Sequence, residues 1–158
     1  MDRYQWLLVF HVTGAFLLLG GAVFGGILNM AALRRERPSE IVVLYRLVRI
    51  AVSSISIGML LTLVFGLWLV ADLDYAKWSD AWVIVALVLW VVANAMGGIG
   101  GRREKATRQF AERLAAEGDA SSPELRAKMR DPLTLALSWG SGVVVVAILA
   151  IMIWKPGH

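Results

Sequence analysis

Four stretches of this chain are each long and apolar enough to cross a lipid bilayer, and nothing else in it constrains the fold as strongly. They run from Gln5 to Leu33, Ile50 to Ala71, Ala81 to Gly101 and Leu133 to Trp154. About 20 mainly apolar residues span a hydrocarbon core as a helix. Lipid offers no hydrogen bonds, so backbone groups there must pair internally, in helices or in a closed β-barrel. These stretches are too long for barrel strands and lack their alternation. The expected fold is therefore all-α: one membrane domain over residues 1–158, a polytopic four-transmembrane-helix up-down bundle. The 58% of hydrophobic residues agrees, since soluble domains hold roughly half even with glycine included. The first stretch does not read as a cleaved signal peptide. It lacks a basic start and is about twice too long.

Charge placement gives a direction. The connection from Arg34 to Arg49 carries 5 basic residues and that from Arg102 to Asp131 carries 8, which leaves Arg3, Lys77 and Lys155 elsewhere. By the positive-inside rule both basic connections are cytoplasmic and both termini face out. Asp2, Asp72, Asp74 and Asp80 lie in the outer segments, and Trp6, Trp68, Trp78, Trp82 and Trp154 fall near the outer interface, where amphipathic rings prefer to sit. This placement accounts for the net charge of +4 without a nucleic acid partner; the partner is the lipid bilayer.

Punctuation marks the helix ends. Ser39 after Pro38 reads as a cap for a helix entering the second span, Ser79 or Asp80 as a cap for the third, and Asp131-Pro132 as an N-cap followed by Pro at the first helical position. Arg103–Glu117 is helical in composition, with Ala106, Phe110 and Leu114 on one stripe and Gly118 to end it. Ser121-Ser122-Pro123-Glu124 resembles a capping box opening a short helix to Arg130. This connection either lies on the anionic inner leaflet or continues the third and fourth spans as a solvated hairpin.

His11 is the candidate functional residue. It is an ionisable ring inside an apolar span, where an unsatisfied polar group is costly. Depths counted at about 1.5 Å per residue group His11, Thr13 and Thr62 in one polar layer and Asn94 with Ser141, Ser138, Ser56 and Ser53 in another. All are expected to face the bundle interior. The bland reading makes the second layer helix–helix glue and His11 a neutral ring donating to a neighbouring carbonyl. No Asp, Glu, Lys or Arg lies centrally in a span, which argues against a proton-coupled transporter. Gly21 and Gly25 form one GxxxG step and Gly97 and Gly101 another, suited to close packing within the chain or to a homodimer face. Gly97–Gly101 also suits a flexible exit from the membrane. Gly14 and Ala15, one turn after His11, would leave room beside the imidazole for something flat. There is no cysteine, hence no disulfide or thiolate site.

Tyr4-Gln5-Trp6-Leu7-Leu8-Val9-Phe10-His11-Val12-Thr13-Gly14-Ala15-Phe16, followed by Leu19-Gly20-Gly21, resembles the opening of a family of small bacterial four-helix membrane proteins of unknown function. That family is distantly similar to the copper-resistance D and HemJ-type membrane proteins. The resemblance implies a bacterial inner-membrane protein that binds haem b or a metal at His11. The chain lacks the further helical His and Lys of HemJ-type enzymes, so the resemblance does not extend to their oxidase activity. A six-coordinate haem needs a second axial ligand. Met152 is the methionine nearest in depth, with Met59 and Met96 deeper, and a symmetric dimer offers a second His11 instead.

Three functions follow: a haem-binding redox or sensor protein with His11, Gly14 and Met152 at its site; an accessory subunit of a larger membrane complex; or a small channel or transporter lined by Thr62, Asn94 and Ser141. A hydrolase is disfavoured, because no Ser, His and acid group meet at one depth.

Overall fold

The computed structural model describes residues 2–72 and 77–155, so Asp74 lies outside the described residues. These residues form α1 (Arg3–Leu33), α2 (Pro38–Asp72), α3 (Ala81–Ala116), the short α4 (Pro123–Met129) and α5 (Pro132–Trp154), with no strand among them. Among the described residues, 4 helical segments are long and apolar enough to cross a membrane.

Two helices outrun their apolar stretches. α2 begins at Pro38, with proline in the first turn where its missing N–H costs nothing. α3 passes through Gly97–Gly101 unbroken and ends only at Ala116, so those glycines are not a flexible exit. Gly118, at φ +125°, ends it: the Asp119 N–H donates to Leu114 O at 3.0 Å, the closing bond of a Schellman motif.

The extended segments build a core with the C-terminal end of the first apolar span. Leu28, Ala32, Ile41, Val42, Tyr45, Val48, Ala111, Leu125 and Met129 form one buried cluster, with Phe110 and Leu114 packed against it. The connection is thus a hairpin closed on α1, α2 and α4, not a pair of helices lying flat. Its buried stripe is Thr107 and Ala111. Ala106, the first residue of the expected stripe, is exposed.

Ser39 is not a cap. It lies within α2, and its backbone N–H and hydroxyl donate to the two carboxylate oxygens of Asp119 at 2.7 and 2.6 Å. Asp119 therefore caps α2 from across the bundle. The Ser39 hydroxyl and then its N–H hold the Asp119 carboxyl below its usual pKa. Asp131 caps α5 as expected, accepting from the Thr134 N–H and hydroxyl, both at 2.9 Å. Those two donors lower its pKa, and Arg103 meets it at 2.6 Å. Ser122, not Ser121, caps α4 by accepting from Leu125 N. Asp80 is the N-cap residue of α3, and its side chain accepts from the Lys77 N–H at 2.9 Å.

The four long helices associate as two antiparallel pairs, α1 along α2 and α3 along α5. The pairs touch more sparsely, mainly through α2 and α3. Arg3 at the start of α1 meets Asp72 at the end of α2, 3.1 Å apart. Lys155 at the end of α5 lies over the Trp82 ring near the start of α3. Both pairs place these ends together, at what we term the terminal end; the opposite, basic end holds the arginine-rich connections.

Candidate functional site

His11 faces α2. Its Nδ1 lies 3.0 Å from the backbone oxygen of Thr62. A carbonyl can only accept, so Nδ1 carries the hydrogen and, in the neutral ring, Nε2 keeps its lone pair. The contact exists because Gly66 has no side chain: a Cβ there would sit 3.0 Å from the ring Cε1 and 3.1 Å from Nδ1. The Thr62 hydroxyl takes no part. It donates back to Gly58 O at 2.8 Å and to Met59 O at 3.1 Å. The bland expectation for His11, a ring donating to a neighbouring carbonyl, is what the geometry gives, with one ring nitrogen left over.

That leftover nitrogen belongs to a residue bordering a cavity. Between the two helix pairs, toward the terminal end, lies an almost wholly apolar space of about 80 Å³, partly open to the bundle surface. His11, Ala15, Met59, Thr62, Trp82 and Met152 are among its lining residues. His11 and Met152 therefore line one cavity. Met59, which had been placed too deep, lines it too; the cavity extends farther along α2 than the depth count allowed. Gly14 is absent from the lining. It is pressed on α2, where a Cβ would come within 2.8 Å of Leu61 Cβ and Thr62 N. The space beside the imidazole comes instead from Ala15 and Gly66.

The second polar layer does not assemble. Asn94, Ser53 and Ser56 are exposed, and each donates to the carbonyl four residues earlier on its own helix. Ser141 donates to Ser138 O. Thr13 and Ser138 are exposed too. Helix back-bonding satisfies such groups without a partner helix, so nothing forces them inward. Asn94 and Ser141 are not among the residues lining the cavity that Thr62 borders, so the geometry lends the channel reading no support.

Sequence reasoning missed Gly66 and the inward-facing side of Trp82. Trp82 is buried, unlike Trp6, Trp68, Trp78 and Trp154 of the interfacial set. The usable signal was helical spacing: Trp82, Ala86, Trp90 and Ala93 recur on one face of α3, and the first, second and last of them are buried.

A family model described as a predicted integral membrane protein, DUF2269, matches residues 5–156. The chain belongs to this family. No curated protein and no solved structure matches it. With the four helical spans, the match makes the chain a multi-pass integral membrane protein.

Haem b can be tested against the site. The donors suit it: an unprotonated imidazole nitrogen and thioether sulfurs border one cavity. The space does not. About 80 Å³ falls well short of the roughly 300 Å³ at which pockets begin to enclose drug-sized ligands. A macrocycle would have to part the helix pairs. Nor do three or more His, Asp or Glu residues gather as a metal site among the described residues.

Proposed function

We propose that this protein binds a small lipophilic ligand within the membrane, in the cavity between its helix pairs, with His11 as the polar contact. One observation carries the reading: His11, the only histidine among the described residues, turns its bonded nitrogen to α2 and borders an otherwise apolar cavity that is partly open at the bundle surface. An apolar void in a bundle is a ready site for an apolar guest. In this reading the basic end faces the cytoplasm of a bacterial cell and the cavity lies in the outer half of the inner membrane.

A saturable environment-sensitive probe such as 1-aminoanthracene tests it on purified protein in lipid nanodiscs. Wild type is expected to show a stoichiometric component that Ala15→Phe, which fills the cavity, abolishes. Equal, non-saturating partition into both proteins overturns the reading.

Haem b is a second reading, favoured by the presence of His11 and Met152 on one cavity and by the first-helix resemblance. It requires the pairs to open. An absorbance spectrum after haem-replete expression, before and after dithionite, decides it: a Soret band lost in His11→Ala supports it, and no Soret band in wild type removes it.

A further inference from the structure

Trp82, in the wall of the cavity, carries a second polar group without a partner. Trp82 is only 6% exposed, and its indole Nε1 is the one buried side-chain nitrogen or oxygen among the described residues with no hydrogen-bond partner. An unmade hydrogen bond in a dry interior is costly, and such groups in native folds call for an explanation. Trp90, which also borders the cavity, differs: its Nε1 reaches Met59 O at 3.4 Å. The orphan is therefore not a general failure of the cavity walls to supply acceptors.

The two groups have opposite needs. His11 Nε2, with Nδ1 committed to Thr62 O, is an acceptor and seeks an O–H. Trp82 Nε1 is a donor only and seeks an oxygen lone pair. Size sets the scaffold. A cavity of roughly 150 Å³ takes one benzene ring, so about 80 Å³ holds one ring only when the flexible Met59 and Met152 in its walls move aside, and excludes several. The partial opening to the bundle surface leaves a way out for a hydrocarbon tail.

Resting on the binding reading above, we infer that the ligand is a single-ring phenolic lipophile of the quinol class, held by a hydroxyl donating to His11 Nε2 and a ring oxygen accepting from Trp82 Nε1. The oxidised quinone has no hydroxyl to offer His11, so the site prefers the reduced form.

The test is calorimetric titration of wild type, Trp82→Phe and His11→Ala in nanodiscs, under argon with ascorbate, using a short-tailed benzoquinol. The matching quinone without ascorbate and para-xylene serve as probes lacking the hydroxyl or both oxygens. Wild type is expected to bind the quinol at least fivefold more tightly than the quinone. Trp82→Phe, which keeps the ring and removes only the N–H, is expected to weaken the quinol about fivefold and leave para-xylene unchanged. Equal affinity of wild type for quinol and para-xylene, or an unaltered quinol affinity in Trp82→Phe, overturns the inference while leaving apolar binding intact. Saturable binding of none of the probes overturns both.

Discussion

The interface inside the first helix pair and the interface between the pairs follow opposite rules. Where α1 meets α2, glycine brings backbones into contact. A Cβ at Gly14 would strike Thr62 N at 2.8 Å, one at Gly21 would meet Ala51 O at 2.9 Å, and one at Gly58 would lie 2.6 Å from both Gly14 O and Leu18 N. Ser54 ties the helices further by donating to Leu17 O. Between the pairs, larger side chains hold the helices apart. The interface is filled at the basic end by the cluster around Tyr45, Ala111 and Leu125, capped at the terminal end by Val70, Trp82 and Val83, and hollow between. Lipid tails are as apolar as leucine, so membrane helices associate through close packing more than through hydrophobic drive. A void within a membrane bundle is therefore a place where packing contributes little and a guest can enter.

Substituting Gly58 tests the close interface most severely. Gly58→Ala puts a methyl against backbone atoms of α1 that cannot yield unless the helices separate. Overpacking of this kind costs about 3 kcal/mol. The detergent-solubilised protein should melt much lower than wild type, and an unchanged melting temperature would show that the α1–α2 contact is looser than described.

The next effect sits at the basic closure of the interface between pairs. Burial raises the Glu104 carboxyl from 4.5 to about 7, against the opposing charge of Arg108; burial first, and then the charge of Glu104, raises the pKa of the Tyr45 hydroxyl. In the unfolded chain Glu104 loses its proton first. Its contribution to stability is full below about 4.5 and declines as pH rises to about 7. At about 1.4 kcal/mol per pKa unit the loss is on the order of 3 kcal/mol at most. Glu104→Gln should melt like wild type at pH 4.5 and higher than wild type at pH 8. Parallel pH profiles for the two proteins would contradict this.

These two sites also mark what could be read in advance. Helix ends are local matters, and Asp131-Pro132 and Gly118 are legible one residue at a time. Which face turns inward is not, because it depends on a partner. The stripe from Ala106 to Leu114 has the right period, but the buried line falls one residue along, at Thr107 and Ala111. Ser39 and Asp119 are 80 positions apart, and no local pattern links them. At the site, His11 and Met152 were visible as the rare polarisable groups at matching depth. Gly66 was not, since its importance comes from the ring laid over it.

A smaller effect isolates that ring. Gly66→Ala pushes a methyl toward Cε1 and Nδ1 of His11, but a side-chain end can swing away. The expected loss is about 1 kcal/mol, the worth of one hydrogen bond. Added to His11→Ala, the same substitution should cost almost nothing more. That non-additivity, read from a cycle of melting curves, assigns the loss to the ring contact; additive losses would place it elsewhere on α2.

Filling the void should change stability least. Ala15 faces the cavity one turn from His11, and a phenylalanine there enters space that no protein atom occupies. New dispersion contacts offset part of the strain of fitting the ring, so Ala15→Phe should cost no more than about 1 kcal/mol. The contrast with Gly58→Ala is the point. One added methyl on the close interface should outweigh a whole phenyl group on the hollow one. If Ala15→Phe destabilised as strongly as Gly58→Ala, the space between the pairs would be as fully packed as the space within them, and no guest could be argued for it.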